Sequence, residues 1–204
     1  MKNVKVLEYG GGNVGSIINA FTKIGFPPAI AMTENDILTA DLVIFPGVGS
    51  AKAAISELEM SGTKNALNER NARKLPTLGI CLGAQMLFEY LEEASACGLG
   101  WLSGCVNSFR PPMQFNNGWR HLDNNELKAC GLARGLSESS TFYFNHQYYF
   151  STDGKHKTVS IKELAGVGAV CLQEHLCGIQ FHPEKSQQAG EIVLRNVLRD
   201  YYAF

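Results

Sequence analysis

The sequence predicts an α/β fold in one domain, residues 1–204, with a mixed and mostly parallel central sheet flanked by helices. Three observations support this prediction. Strand patterns alternate with helical patterns up to about residue 93, which favours a parallel sheet with helices on its faces. The second half holds short β-rich pieces and one terminal helical pattern. No repeat or linker separates the halves, and 204 residues with 45% hydrophobic side chains are enough for one core.

Patterns in the first half of the sequence predict strands and helices in a regular order. A β-favouring run over residues 4–9 ends in a glycine-rich turn over residues 10–13, and apolar residues at helical spacing follow over residues 14–24. The patterns then predict a strand over 26–32, a helix over 36–40, a strand over 41–45, helices over 51–59 and 63–73, and a strand over 77–80. A further helix is predicted from Leu82 to about Glu93.

The second half predicts strands rather than further strand and helix alternation. They are expected near residues 104–110, 141–150, 158–161, 168–172 and 176–181. A last amphipathic helix is expected over about 189–199. These elements predict a mixed sheet closed by a terminal helix.

The charge balance excludes some classes of partner. Eighteen Lys and Arg residues face nineteen Asp and Glu residues, so the net charge is -1. No basic excess is available for a nucleic-acid backbone or an anionic membrane, and neither partner is expected. No apolar run is long enough for a membrane helix. We therefore expect a cytoplasmic protein that binds a small molecule or another protein.

The six cysteines contain no CxxC pair. In a chain of this length, disulfides and a zinc cluster are not expected, and no metal or other cofactor is predicted. Five of the cysteines are predicted to be small buried hydrophobic residues. Cys81 differs from them because of its neighbours.

Cys81 lies between two glycines where an apolar strand must turn sharply into a helix, in Leu78-Gly79-Ile80-Cys81-Leu82-Gly83. This arrangement is typical of a nucleophile elbow. Glycines at 79 and 83 allow close approach of the backbone, and the N–H of the next residue points to where an oxyanion would form. A core cysteine at a sheet edge is the alternative for this segment alone.

A second reactive segment follows the predicted strand over 176–181. It presents His182 and, two residues later, Glu184. A thiol nucleophile needs a base to accept its proton, and the base needs an acceptor that holds its orientation. His182 and Glu184 have the chemistry for these two roles, and a surface turn is the alternative for this segment alone. Alternation along an extended chain would send Lys185 outward if Glu184 points inward.

Together with Pro46-Gly47-Val48-Gly49, these two segments resemble the class I glutamine amidotransferases. Within that family the chain is similar, over nearly its whole length, to the glutaminase subunits of imidazole glycerol phosphate synthases. The segments that carry this closer resemblance are Tyr9-Gly10-Gly11-Gly12-Asn13-Val14, Gly98-Leu99-Gly100, Gly118-Trp119, Phe142-Tyr143-Phe144-Asn145-His146-Gln147-Tyr148 and residues 180–186. The resemblance implies the class I amidotransferase fold and hydrolysis of L-glutamine to glutamate and ammonia.

The resemblance also implies roles for individual residues. Cys81 would attack the glutamine amide, His182 would carry the proton and Glu184 would orient His182. Leu82 and the Val48–Gly49 peptide would donate to the oxyanion. The positions implied in substrate binding are Gly47, Gln85, Glu93 and the backbone at Gln147 and Tyr148. Those implied at an interface with a (β/α)8-barrel synthase, which would form a heterodimer and receive the ammonia, are Asn13, Trp119, Tyr143 and Lys185.

Two segments depart from the usual pattern of those subunits. Glu8 stands where aspartate is usual, and Asn116-Asn117-Gly118-Trp119-Arg120 replaces His-Met-Gly-Trp-Asn. The glycine-rich start and Leu99-Gly100-Trp101 are similar to paralogues that supply ammonia for amidation of bacterial surface sugars. The acceptor of the ammonia is therefore open between these two. A partner-independent cysteine hydrolase and a catalytically silent interaction subunit are the further alternatives.

Overall fold

The computed structural model describes residues 2–10, 13–151 and 156–204. Gly11 and Gly12, which belong to the predicted first turn, lie outside the described residues. The strands are β1 (Val4–Leu7), β2 (Ala29–Ala31), β3 (Leu42–Phe45), β4 (Thr77–Ile80), β5 (Phe88–Leu91), β6 (Ala96–Cys97), β7 (Leu102–Ser108), β8 (Asn116–His121), β9 (Thr141–His146), β10 (Tyr148–Ser151), β11 (Lys157–Ser160), β12 (Gly168–Gln173) and β13 (Leu176–Ile179). The α-helices are α1 (Val14–Lys23), α2 (Glu34–Thr39), α3 (Ala51–Met60), α4 (Thr63–Ala72), α5 (Leu82–Gln85), α6 (Asn124–Ala129) and α7 (Gln187–Asn196), and one π-helical turn follows at Val197–Tyr201.

The central sheet is mixed and mostly parallel, as the sequence predicts. Its seven strands lie in the order β11-β12-β13-β4-β3-β1-β2. The strands from β2 to β13 pair in parallel, and β12 and β11 add antiparallel strands at one side. Strands β3, β4 and β13 are neighbours and are buried along their whole length. Their carboxyl ends therefore open at the same edge of the sheet.

Helices cover both faces of this sheet. One core cluster contains Ile17 and Phe21 of α1 together with Val193 and Leu194 of α7. The other cluster contains apolar residues of α3 and α4, with Leu58 and others packed beneath strands β1 and β3. Among the described segments, no helix is long and apolar enough to cross a membrane.

The prediction of one helix from Leu82 to Glu93 is wrong. The helix α5 ends at Gln85, and β5 begins at Phe88 in a second sheet of order β10-β7-β5-β6. The loop after β6 explains the difference, because N–H groups from residues 99–102 donate to the carbonyl oxygens of Met86, Leu87 and Phe88. Those oxygens are then not available to a continuing helix. The apolar pattern fitted a helix, but long-range hydrogen bonds determine the structure.

Three further corrections concern the second half and the cysteines. The predicted strand over 141–150 is divided into β9 and β10, and the sequence analysis did not predict β8 or α6. Cys97 and Cys105 are exposed rather than buried. Both pair with Tyr90 across strands β6, β5 and β7, so they share its solvent-facing side of the second sheet.

Arg70 is a fully buried cation that connects three parts of the fold. Its guanidinium donates to the carbonyl oxygens of Ile37 and Ala40 at 2.6 and 2.9 Å, and to that of Pro76 at 2.5 Å. Burial lowers its pKa to about 10, partly opposed by nearby Tyr202, so it stays charged at neutral pH. Arg70 therefore holds α4 to the end of α2 and to the start of β4.

We expect Arg70→Ala to lower the free energy of unfolding by about 3–5 kcal/mol, because buried carbonyl oxygens lose their donor and a cavity forms. The matched control is Arg73→Ala, since Arg73 lies one turn away and makes an exposed ion pair with Glu69. That substitution should cost less than about 1 kcal/mol. Urea denaturation of both variants measures the difference, and equal midpoints would contradict this role for Arg70.

Candidate active site

Cys81 lies at the carboxyl end of β4, directly before α5. Its backbone has φ 54° and ψ -112°, a conformation that non-glycine residues rarely adopt. A hydrogen bond of 2.7 Å from the Cys81 N–H to the Ile179 carbonyl oxygen holds this conformation against β13. Strain of this kind persists only where the surrounding structure enforces it, and it is frequent at functional sites.

The glycines around Cys81 are required by close packing, as the sequence predicts. A Cβ atom on Gly83 would lie 1.8 Å from the Phe45 carbonyl oxygen. A Cβ atom on Gly79 would lie 2.7 Å from the Cα atom of Ala84. Larger residues at either position would push α5 away from the sheet. The elbow therefore depends on direct backbone contact between its turn, β3 and α5.

His182 and Glu184 meet Cys81 from the end of β13. The His182 Nδ1 and Glu184 Oε1 atoms are 2.8 Å apart, and the two side chains are 3% and 0% exposed. Glu184 points inward and Lys185 is exposed, but both lie in a 3-10 turn, Pro183–Lys185, rather than in an extended chain. The expected directions are therefore correct and the alternation argument is wrong.

The electrostatics of His182 favour the charged imidazolium. Burial alone would lower its pKa, but hydrogen bonds and charge interactions with Cys81 and Glu184 outweigh burial and raise the pKa to about 9. The ring is thus held between a sulfur atom and a carboxylate. This arrangement can move a proton between the sulfur and a bound molecule.

A cleft of about 400 Å³ opens above Cys81 and His182. Most of the residues predicted to bind substrate or an oxyanion line it, namely Val48, Gly49, Leu82, Gln85, Glu93, Gln147 and Tyr148. Gly47 is buried below the cleft instead, because a Cβ atom there would lie 2.5 Å from the Tyr9 hydroxyl oxygen and 2.8 Å from the Gly83 nitrogen. Gly47 therefore shapes the turn after β3 and does not line the cleft.

The peptide between Gly47 and Val48 is oriented with its carbonyl toward the elbow. The Leu82 N–H donates to the Gly47 carbonyl oxygen at 3.4 Å, a long hydrogen bond. In a trans peptide the N–H points away from the carbonyl, so the Val48 N–H faces away from Leu82. A rotation of the Gly47–Val48 peptide would be needed before the Val48 N–H could join the Leu82 N–H at one oxyanion. The donor that the sequence resemblance implies is the N–H of the next peptide, Val48–Gly49, and that assignment stays a prediction.

One wall of the cleft is held in place by a carbonyl group that accepts two hydrogen bonds. The Tyr148 carbonyl oxygen accepts from Gln85 Nε2 at 2.8 Å and from His146 Nδ1 at 2.7 Å. His146 Nε2 accepts from Asn116 Nδ2 at 3.0 Å, which assigns the proton to Nδ1. Burial, together with the charge of His182, lowers the pKa of His146 to about 4 although the Tyr148 contact opposes this. His146 is therefore neutral.

A match to a known protein family agrees with the geometry of this site. The family model "Glutamine amidotransferase class-I" matches residues 5–200. The chain belongs to this family. The fold and the activity class that the sequence resemblance implied are thereby confirmed.

Relatives within the class I amidotransferases cover nearly the full chain. "Imidazole glycerol phosphate synthase subunit HisH 1" of Campylobacter jejuni (strain RM1221) is 37% identical over 203 residues, which cover 96% of this chain and 99% of that protein. "Imidazole glycerol phosphate synthase subunit HisH" of Leptospira borgpetersenii is 33% identical, with coverage of 95% and 98%. A solved structure described as "Crystal structure of glutamine amidotransferase" has a TM-score of 0.76 at 16% identity and covers 98% of this chain and 99% of that one. At that identity it supports the fold alone.

The amidotransferase carries a group of large side chains, exposed or half-buried, at the edge of the cleft. We name this group the rim and define it as Phe115, Trp119, Tyr143 and Lys185. Phe115 is 51% and Trp119 is 44% exposed. The Trp119 and Tyr143 rings meet edge to face at 5.7 Å, and Lys185 Nζ lies 6.0 Å from the Tyr143 ring centre. Three of the four predicted interface residues thus form one continuous surface.

Asn13, the fourth predicted interface residue, is placed differently. Its side-chain amide donates a hydrogen bond to Glu184 Oε1. The structure therefore puts this side chain against the buried carboxylate rather than on the rim. No sequence pattern indicates a contact between residues so far apart in the chain.

Four residues that support the site have no role predicted from the sequence. They are Phe115, Asn116, His146 and Gln180. Gln180 is fully buried, accepts from Gln85 Nε2 at 3.0 Å and directs its own Nε2 at the Cys81 sulfur, 3.8 Å away. The one available signal was a polar residue, Gln180, directly after a fully apolar strand.

We expect His146 to make stability depend on pH. Its pKa is about 4 when folded and 6.5 when exposed, so the unfolded chain binds more protons between these values. The contribution is complete above pH 6.5 and is lost as the pH falls through 4, with a size on the order of 3 kcal/mol. A glutamine side chain can make both hydrogen bonds and does not titrate. As the pH falls from 6.5 through 4, the free energy of unfolding should therefore fall less in His146→Gln than in the wild type. Urea denaturation at several pH values tests this, and parallel profiles would contradict it.

Proposed function

We propose that this chain is the glutaminase subunit of an imidazole glycerol phosphate synthase, acting in histidine biosynthesis. It would hydrolyse L-glutamine to glutamate and ammonia and pass the ammonia to a (β/α)8-barrel synthase subunit. The observation that carries the glutaminase assignment is the buried Cys81, His182 and Glu184 group under an open cleft. The names of relatives at 33–37% identity support the synthase and its pathway.

The first half of the proposed reaction forms a thioester. The Cys81 thiolate attacks the side-chain carbonyl carbon of glutamine, forming a carbon–sulfur bond and an oxyanion. His182, as the imidazolium, gives its proton to the amide nitrogen. The oxyanion then collapses to the carbonyl group of the γ-glutamyl thioester as the carbon–nitrogen bond breaks and ammonia leaves.

The second half consumes water. His182, now neutral, accepts a proton from the water molecule that attacks the thioester. The carbon–sulfur bond breaks, which releases glutamate and regenerates the thiolate and the imidazolium. Glu184 holds the ring throughout through Nδ1 and compensates its charge.

The cleft can orient glutamine by its polar ends. Glu93 and Gln147 lie on its walls. A carboxylate suits the α-ammonium group of the substrate, and backbone N–H groups suit its α-carboxylate. Gln85 fixes the Tyr148 carbonyl group and so keeps this wall in place.

The rim supports the proposal of a protein partner. Its aromatic rings are a residue type that is enriched at protein interfaces. Val48 of the turn after β3, 36% exposed, lies in the same cleft as Phe115 and Lys185. A partner bound on the rim would contact this turn and could bias the Gly47–Val48 peptide. A cytoplasmic location, a heterodimer and an ammonia channel are parts of the same proposal.

Substitution of the three reactive residues tests the glutaminase assignment. We expect Cys81→Ala to abolish glutamine hydrolysis and His182→Ala to be nearly as damaging, while Glu184→Gln should cost less, because an orienting residue is usually the least costly of a triad. A diazo-ketone analogue of glutamine should label Cys81, as judged by mass spectrometry. Cys97→Ala is the control, since Cys97 is an exposed thiol away from the cleft. Labelling of another cysteine, or full activity of His182→Ala, would reject the mechanism.

Reconstitution with barrel proteins tests the partner. The free chain should hydrolyse glutamine slowly, and a cognate barrel with its acceptor should accelerate it on the order of 10²–10³-fold, the value of one oxyanion donor. Lys185→Glu should weaken the complex or release ammonia to solvent without changing the melting temperature. Lys74→Glu is the control for charge reversal away from the rim, because Lys74 precedes β4 at the opposite edge of the sheet. It replaces an exposed ion pair with Glu174 by repulsion, so its melting temperature is measured as well.

The outcome also identifies the acceptor. Activation by a barrel that makes imidazole glycerol phosphate supports the proposal, and activation only by a barrel that amidates a surface sugar would replace it with that paralogue. Wild-type binding and ammonia transfer by Lys185→Glu would place the partner elsewhere than on the rim.

A further inference from the structure

Asn13 has an unusual conformation and an unusual hydrogen bond for a residue at the start of a helix. It precedes α1 with φ 78° and ψ 3°, in the left-handed region, and its side chain does not cap the helix. The side-chain amide instead donates to Glu184 Oε1, 171 residues further along the chain. Asparagine tolerates left-handed backbone better than most residues and offers an amide donor. Both properties are used at this position.

The surroundings of Glu184 explain what this hydrogen bond does. The carboxylate is completely buried, where a charge is costly unless it is paired and hydrogen-bonded. Its Oε1 atom receives both His182 Nδ1 and Asn13 Nδ2, whereas Oε2 has no hydrogen-bond partner within the described part of the chain. Two donors on one oxygen fix the rotation of the carboxylate. The amide of Asn13 therefore helps to keep Oε1 on the histidine ring.

We propose that Asn13 is a positioning residue for the reactive histidine, acting through Glu184 and not by contact with the substrate. This inference rests on the proposed glutaminase function. Asn13 does not line the cleft, so its side chain has no access to a molecule bound above Cys81. Its influence on the reaction passes from the amide to the carboxylate and from the carboxylate to the His182 ring.

Two substitutions separate this role from a structural one. Asn13→Gly removes the donor but suits left-handed backbone, so the backbone gain offsets part of the stability lost with the hydrogen bond and the melting temperature should fall only slightly. Asn13→Asp keeps the size but replaces the donor with an oxygen that repels Glu184. We expect kcat for glutamine hydrolysis to fall about tenfold to a hundredfold in Asn13→Gly and further in Asn13→Asp, with KM nearly unchanged.

Lys74→Gly is the matched control for the backbone effect. Lys74 also has left-handed backbone, φ 55°, and is exposed at the far edge of the sheet. Its replacement by glycine should leave kcat unchanged. If Asn13→Gly behaved like Lys74→Gly in both stability and kcat, the proposal would be overturned.

A double-mutant cycle with Glu184→Ala tests the route of the effect. If Asn13 acts through Glu184, Asn13→Gly should change kcat little once the carboxylate is absent. Additive losses would mean that Asn13 acts on the reaction by another route, and the proposal would be wrong.

A readout that does not need glutamine keeps this test separate from the proposed function. The alkylation rate of Cys81 by iodoacetamide, followed by peptide mass spectrometry because Cys97 and Cys105 are exposed, reports the ionic state of the Cys81 and His182 pair. In Asn13→Gly the high-pH limb of this profile should move to lower pH, since His182 interacts less firmly with Glu184. An unchanged profile would overturn the positioning role. A shifted profile in a chain that hydrolyses no glutamine, alone or with a barrel, would refute the proposed function and leave the Asn13 coupling standing.

Discussion

The parallel pairing of β3, β4 and β13 is the constraint on which the site depends. Phe45 pairs with Gly79, and Ile80 pairs with Ile179, so the three strands end almost level. Each strand is followed by one part of the site: the turn with Gly47, the elbow with Cys81, and the segment with His182. A shift of one residue in either pairing would turn side chains to the other face of the sheet. The chemistry is therefore fixed first by backbone register and only then by side-chain contacts.

Burial and the neighbours of each ring then determine the pKa values of the two histidines at the site. His182 and His146 are both buried, yet their pKa values shift in opposite directions. His182 lies between Cys81 and Glu184, and their interactions with the ring raise its pKa by more than burial lowers it. His146 lies between a carbonyl oxygen and the Asn116 amide, and these contacts do not outweigh the lowering of its pKa by burial. The same residue type thus supplies a charged ring beside the Cys81 sulfur and a neutral ring that supports a cleft wall.

The sequence was sufficient to predict the parts of the fold that rely on local pattern and steric need. The apolar runs of β3 and β4, the glycines beside Cys81 and the His182 and Glu184 pair all follow from short segments. It was not sufficient where distant backbone groups decide the outcome. The segment after Gln85 has a helical pattern, but hydrogen bonds from residues 99–102 make it a strand. Asn13 contacts a residue 171 positions away, and Gln180 contacts one 95 positions away. The His146 contact joins residues only two positions apart, but it is made to a backbone carbonyl oxygen that no sequence pattern indicates.

The orientation of the Gly47–Val48 peptide has a consequence for covalent inhibitors. A reagent that alkylates the Cys81 sulfur needs the thiolate but generates no negative oxygen that must be stabilised. An aldehyde that mimics the γ-carboxamide forms a tetrahedral adduct, whose oxygen would meet the Gly47 carbonyl instead of two N–H donors. Alkylating agents and aldehydes would therefore recognise different states of this enzyme. An aldehyde would bind tightly only after the Gly47–Val48 peptide has turned, so it would report the orientation of this peptide, which an alkylating agent does not.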